Sequence, residues 1–379
     1  MTWLLALTLV QVWRQGAPMP TPGYGLSCVE MDGLVYAIGG FSGEQNPIPR
    51  PVVEAYDLVG DTWYSHFAPM PFPRGYAGCC VLGRRIYVIG GTDGQTGESR
   101  RVDRFDPVAN RWDTVAPLPA PRQALVACVY QGQIYAIGGF RGNQYRRGVY
   151  RFVEDSAAGY WEVGAVDSLE IPRANAGITV TDGRICVVGG LYYSSLGSVE
   201  CYSPDRWQIV GDTMFSRRYG LAAVGYGPWV YAIGGRNLYY RLGSVEVLNL
   251  ETGQWREGEP LRLPRSNLGA ALVGTTIVAI GGKTDMGTSG AVEIHDLFEG
   301  VAEEGLRADP VASNVSVTVL QGMVRYSAPG QRIEVFDIGG KLVLAGQDRI
   351  ERMLPEGTYF VSLRGESGFK RAQKIVVLR

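Results

Sequence analysis

The chain has 379 residues, 46% of them hydrophobic, with 36 Lys and Arg against 37 Asp and Glu and a formal net charge of -1. That length supports a large core and more than one domain, and the balanced charge offers no basic field of the kind that holds nucleic acid. Gly is abundant, at 52 residues, and helix-periodic stretches are scarce, so an all-β chain is expected.

In chain order, residues 1–10 form an apolar segment too short to span a bilayer. They suit the h-region of a secretory leader, although no Lys or Arg precedes the run and no small-x-small cleavage site precedes Trp13. The alternative is a lead-in to a strand. Next come six short apolar runs, each closed by a Gly pair: Val35-Tyr36-Ala37-Ile38 before Gly39-Gly40, then runs before Gly90-Gly91, Gly138-Gly139, Gly189-Gly190, Gly234-Gly235 and Gly281-Gly282. The runs are rich in β-branched and aromatic residues and too short for helices, so each is read as a buried strand. The pairs recur every 45 to 51 residues, a period that suits one propeller blade. After each pair a second strand is expected, as in Val53-Glu54-Ala55-Tyr56-Asp57, followed in five repeats by a lone tryptophan: Trp63, Trp112, Trp161, Trp207 and Trp255. A proline-rich turn then leads to the next run, giving four strands per period.

The sixth repeat lacks its tryptophan. Trp13-Arg14-Gln15-Gly16-Ala17-Pro18 matches the sequence around Trp63 and Trp112, so the N-terminal strand is expected to complete the last blade and remove the free sheet edges. The diglycine, Tyr/Phe and Trp marks, repeating in order over residues 12–297, resemble the kelch repeat. The resemblance implies a six-bladed β-propeller, placed here at residues 11–297.

Six cysteines, Cys28, Cys79, Cys80, Cys128, Cys186 and Cys201, fall in strands that read as buried. With no CxxC or Cys/His cluster, no zinc site is expected, and free buried thiols are expected rather than disulfides.

Residues 298–313 lack alternation, carry several acids and read as a linker. From residue 314 to 379 short alternating strands return, at Val315–Leu320, Ile333–Asp337, Lys341–Leu344, Thr358–Leu363 and Lys374–Leu378, outlining a small β-sandwich. Val335-Phe336-Asp337-Ile338-Gly339-Gly340-Lys341, Leu354-Pro355-Glu356-Gly357-Thr358-Tyr359 and the final Lys374-Ile375-Val376-Val377-Leu378-Arg379 make this tail similar to the C-terminal sorting domain of the type IX secretion system of Bacteroidota. The tail departs from that family in lacking an Asn-Pro motif at its start. The resemblance implies export, contact with the secretion machinery, removal of the tail, and a secreted or cell-surface location. No transmembrane segment is expected.

Sixteen residues before a Gly pair stand Arg74, Arg122, Arg173, Arg218 and Arg265, while Gly23 takes the slot in the first repeat. Two readings are open. The arginines could ring the channel mouth and clamp a carboxylate, or they could hold the blade turns through backbone carbonyls. Loops between the second and third strands emerge on the same face and carry Phe41, Phe140, Arg141, Asn143, Tyr145, Arg146, Arg147, Tyr192, Tyr193, Asn237, Tyr239 and Tyr240. Tyrosine rings offer flat faces and a polar tip. The candidate ligand site is thus the five arginines with Tyr145, Tyr192 and Tyr239, and the expected partner is a glycan, an acidic ligand or a protein. The alternative is a sialic-acid-type epimerase or mutarotase using an arginine-lined mouth, with Glu44, Asp93, Glu98 or Asp285 as acid or base. Glu54, Glu200, Glu246 and Glu293 recur in the third strands and read as fold elements. His66 and His295 are the only histidines and occupy unrelated repeat positions. No catalytic set, metal site or cofactor is expected.

Overall fold

A computed structural model describes residues 12–43, 46–155, 158–203, 206–297, 316–320, 323–337, 342–353, 357–364 and 370–377. The leader and linker expectations lie outside the described residues.

Residues 12–297 form six four-stranded antiparallel sheets, one per repeat. Blade 1 runs from its inner strand outward as Ser27–Met31, Leu34–Ile38, Val53–Asp57 and Thr62–Tyr64. Blades 2 to 5 repeat this order, with inner strands at Gly78–Leu82, Val126–Tyr130, Gly177–Thr181 and Ala222–Tyr226. Blade 6 takes Gly269–Val273, Thr276–Ile280 and Val292–Asp296 from the end of the propeller, and its outer strand, Arg14–Gly16, from the start. Arg14 pairs with Ile294 and Gly16 with Val292, so the ring closes as the sequence predicts.

The repeated residues explain the assembly. The apolar runs of the second strands are buried and pack between neighbouring blades. Val35, Ala37 and Tyr56 of blade 1, for example, meet Val278, Ile280 and Ile294 of blade 6. Each fully buried Val or Ile side chain contributes about 1.5–3 kcal/mol of transfer free energy. The tryptophans tie blades together by their indole N–H groups. Trp63 donates to the carbonyl of Ala17 (2.8 Å), Trp112 to Ala68 (3.0 Å), Trp161 to Ala116 (2.8 Å), Trp207 to Asp167 (2.9 Å) and Trp255 to Asp212 (2.9 Å). In each case the acceptor lies on the chain leaving the preceding blade. Trp13 does the same to Glu259 (2.7 Å) and stacks on His295, which confirms its place as the sixth tryptophan.

Gly39 and Gly40 show why the pairs recur. Both have positive φ, 64° and 82°, and a Cβ on either would press on backbone of the adjoining turn, at Arg74 and Tyr24 respectively. Only glycine meets both demands without strain.

One further ring surrounds the axis. The amides of Gly25, Tyr76, Ala124, Asn175, Gly220 and Asn267 each donate to the carbonyl of the preceding member, at 2.6–2.9 Å, and Gly25 donates to Asn267. All six residues adopt positive φ, 50–60°.

The expectation for the cysteines needs amendment. Cys186 and Cys201 are disulfide-bonded rather than free; they lie opposite one another on adjacent strands of blade 4, with Cα atoms 4.1 Å apart. The other four cysteines are free thiols.

The C-terminal strands belong to a separate compact unit from the propeller. They are Ser316–Leu320, Met323–Asp337, Leu342–Met353, Gly357–Arg364 and Lys370–Val377, connected in one antiparallel sheet. The two longest strands exceed what the alternation suggested, because Met323–Asp337 pairs with Leu342–Met353 along most of its length, with register shifts after Ser327 and Val335. Among the described residues no helix is long and apolar enough to cross a membrane.

Candidate functional site

The five arginines do not line the channel mouth. Their exposure is between 0 and 5%, and their guanidinium groups turn into the blades. Arg173 donates to the carbonyls of Gly189 (2.8 Å) and Ser198 (3.1 Å) and pairs with Glu200. Arg218 repeats this with Gly234, Ser244 and Glu246. Arg265 binds the carbonyls of Ala291 (2.8 Å) and Ala279 (3.2 Å) and pairs with Glu293 at 3.3 Å. Arg74 binds those of Gly90 (2.7 Å) and Val88 (3.0 Å) and pairs with Asp103 at 2.8 Å. In blade 3 no acid is present at this place; Arg122 binds the carbonyls of Gly138 (2.9 Å) and Gly148 (2.7 Å), and its guanidinium lies 4.0 Å from the ring centre of Tyr150.

The acids complete the unit. Glu200 also accepts the amides of Glu170 (2.6 Å) and Ile171 (3.1 Å), Glu246 those of Phe215 and Ser216, and Glu293 those of Arg262 and Leu263. Each fixes the turn entering its blade. Burial pushes all five arginines below the ordinary guanidinium pKa, Arg265 to about 10, with the paired acid opposing the shift where one is present. The clamp expected for a ligand is thus spent inside the protein, and the arginine-lined mouth expected for an epimerase is absent.

Gly23, the exception in sequence, is accommodated by Arg50. Its guanidinium reaches the same place from within blade 1, donates to the carbonyls of Gly39 (3.3 Å) and Thr21 (2.5 Å) and lies 4.0 Å from Glu54.

The axial channel encloses about 160 Å³ and is lined by inner-strand starts such as Leu26, Ala77, Ala127, Ile178, Ala223 and Ala270; none of its lining residues is charged. Beside the axial ring, residues that follow the arginine slot and the Gly pair by one form bridges. Tyr24 bridges to Phe41, Gln123 to Phe140, Tyr219 to Arg236 and Ser266 to Lys283. Lys283 lies 4.9 Å from the ring of Tyr24, and Arg236 lies 5.7 Å from that of Tyr219. Tyr76 packs between Phe41 and the bare face of Gly25. Burial pushes its phenol pKa well up, Tyr24 and Tyr219 add to the shift, and Arg236 opposes it. Sequence reasoning missed Tyr24, Tyr76, Tyr219, Arg236 and Lys283. The available signal, for all but Tyr76, was that the residues after the arginines and after the Gly pairs vary among the blades.

Tyr145 and Tyr192 do come together. Tyr145 meets Phe140 (5.2 Å between ring centres), Tyr192 (5.7 Å) and Tyr193 (5.3 Å), making one aromatic cluster across blades 3 and 4. Tyr239 stands apart on the blade 5 loop, where Asn237 Oδ1 accepts its amide (2.9 Å) and that of Tyr240 (2.9 Å). Tyr193 is 74% exposed, Tyr239 86% and Met286 93%. The candidate acid–base residues are otherwise engaged. Asp93 caps the amides of Gln95 and Thr96, Glu98 accepts from Gln123 and the amide of Gly142, and Asp285 pairs with Arg241 between the loops of blades 5 and 6. Glu44 lies outside the described residues. Among the described residues no group of three or more His, Cys, Asp and Glu could hold a metal ion.

Comparison with known proteins agrees with this architecture. The family model described as the KLHDC2/KLHL20/DRC7 Kelch-repeats domain matches residues 8–190, and the Kelch motif matches residues 172–212 and 217–262. Kelch-like protein 23 of Mus musculus is 30% identical over 210 residues, 53% of this chain and 35% of that protein. Kelch-like protein 7 of Rattus norvegicus is 34% identical over 241 residues, 62% of this chain and 40% of that protein. The chain thus spans well under half the length of these relatives. With its six closed blades, the diglycine turns and the tryptophan ties, residues 12–297 are a six-bladed propeller of kelch repeats.

Proposed function

We propose that the propeller is a protein-binding module whose partner docks on the loop face and presents acidic and apolar side chains. The observation that carries this is the exposure of large apolar residues there: Tyr192, Tyr193, Leu238, Tyr239, Tyr240 and Met286. A folded surface that leaves such side chains in water marks an interaction site. Charge supports the partner's character. In the loops between second and third strands, Arg100, Arg101, Arg141, Arg146, Arg147, Arg236, Arg241 and Lys283 outnumber the described acids Asp93, Glu98 and Asp285. Opposite charge steers association and suppresses wrong partners.

Selection of a displayed peptide library on the full chain tests this reading. Acidic sequences with an aromatic or aliphatic anchor should be enriched, and Tyr193→Ala with Tyr239→Ala should abolish their binding without lowering Tm. Enrichment of no sequence class, or binding indifferent to both substitutions, overturns it. The tyrosine cluster also suits a pyranose ring, so a glycan array run on the same protein is the matching test for a sugar ligand.

We further propose that the chain is exported to the cell surface or medium through its C-terminal sorting domain. The order of the three tail motifs supports this, as does the Cys186–Cys201 disulfide, since such bonds persist in oxidising compartments. Expression in a host with a type IX system, with and without residues 314–379, should move the protein from the surface or medium into the periplasm on deletion. Equal distribution would overturn the proposal.

A further inference from the structure

We propose that Cys186 and Cys201 are an oxidative modification site that locks the hairpin carrying Tyr192 and Tyr193, so that the blade 4 part of the loop face is fixed in the disulfide-bonded protein. The functional meaning rests on the reading of that face as a docking surface, but the bond and its effect on the hairpin can be measured without it.

The position of the pair within the blade is the first argument. Cys186 is on the second strand, Arg184–Val188, and Cys201 directly opposite on the third, Val199–Ser203. In four other blades the equivalent of Cys186 is a tyrosine: Tyr36 opposite Ala55, Tyr87 opposite Arg104, Tyr135 opposite Arg151 and Tyr231 opposite Val247. Blade 4 has given up that aromatic for a covalent bond. Both sulfur-bearing residues are buried, with Met214, Leu221 and Val230 around them.

The second argument is what the bond closes. The bridged residues are 15 apart in sequence, and the segment between them contains the small hairpin of Leu191–Tyr192 and Ser194–Ser195. Tyr193 sits at its tip with a left-handed φ of 56°, an uncommon conformation for a tyrosine. Backbone bonds at the hairpin's base are those of Gly189 to Ser198 (3.0 Å), Leu196 to Gly190 (2.8 Å) and Leu191 to Ala174 (2.8 Å). Joining the two strands just below limits how far they separate when these bonds open, and shortens the list of conformations available to the opened loop.

The chemistry is thiol–disulfide exchange with a small-molecule or protein disulfide as acceptor. One cysteine thiolate attacks the acceptor disulfide and releases a thiol. The second thiolate attacks the resulting mixed disulfide, forms the Cys186–Cys201 bond and releases the other thiol. Two protons leave the cysteines and two electrons pass to the acceptor. Because both residues are inaccessible in the closed blade, the bond forms before the blade packs or while it is open.

Two measurements on the full chain decide the matter. Protein purified without reductant, then unfolded in guanidinium with iodoacetamide, should carry four adducts, at Cys28, Cys79, Cys80 and Cys128. Hydrogen exchange of residues 189–198 should quicken by about tenfold or more in Cys186→Ser/Cys201→Ser and in the better-filled Cys186→Val/Cys201→Ala, with little change in blades 1 and 2. If both variants fold poorly, the comparison is made on wild type refolded in dithiothreitol. Six adducts, or unchanged exchange at 189–198, overturns the proposal. Neither readout involves a partner, so failure of the docking surface would be seen separately.

Discussion

The guanidinium of Arg50 occupies the space that a side chain on Gly23 would need: a methyl group there would overlap its Nη1. The other five blades fill this place from the slot that Gly23 holds. Gly23→Ala should destabilise the propeller by about 1–3 kcal/mol through overpacking. Gly23→Arg should cost more, and the double change Gly23→Arg/Arg50→Gly should recover much of the loss by restoring the arrangement of blades 2 to 6. Denaturant melts of the four proteins check this, and additive losses would show that the two residues do not share one site.

Removing the arginines should cost stability in a ranked order. Arg173→Ala and Arg218→Ala leave Glu200 and Glu246 buried and charged without their cation, a loss of about 3–5 kcal/mol each. Arg122→Ala leaves no acid behind and should cost about 1–3 kcal/mol, the desolvation of the Gly138 and Gly148 carbonyls. Calorimetric melts of the three variants measure the ranking.

Trp13→Phe should weaken ring closure. The phenyl ring retains much of the packing with His295, but the carbonyl of Glu259 loses its donor, a cost of about 0.5–1.5 kcal/mol. Limited proteolysis should then cut first near the N-terminal strand of blade 6.

Stability should fall in alkali. Burial pushes the Cys28 thiol up to about 12 and raises those of Cys80 and Cys128 as well. Above the unfolded thiol value of 9.0, the unfolded chain releases protons that the folded chain keeps. The stabilisation is present below pH 9 and is lost as pH rises towards 12. Each fully buried thiol contributes up to about 1.4 kcal/mol per pH unit in that window. Cys28 keeps some exposure at the channel wall, so Cys80 and Cys128 should dominate. Urea melts at pH 8, 9.5 and 10.5, compared with Cys80→Ala/Cys128→Ala, measure the effect.

The repeat made the blades legible: a Gly pair needs positive φ, and Trp63 and its equivalents need a carbonyl on the neighbouring chain. The choice between the two readings of the arginines stayed open because their recurrence places them all at one height without saying which way they point. Glu200 and Glu246, recurring on the third strands, were the counter-ions that would have turned them inward. The disulfide was hidden because Cys186 and Cys201 become opposite only through strand register. That Tyr145 and Tyr192 share one loop face was legible because loop residues that differ between blades are free of the repeat's own structural demands.

The axial hydrogen-bond ring from Gly25 through Asn267 has no first or last member, although the chain does. Trp13 and His295, at the two ends of the propeller, touch. The chain's starting point is therefore interchangeable. A propeller of residues 12–297 reopened at the Gln131–Gly132 hairpin, with its old ends joined by a short linker, should reach the same fold, its cut strand ends still held by blade 3.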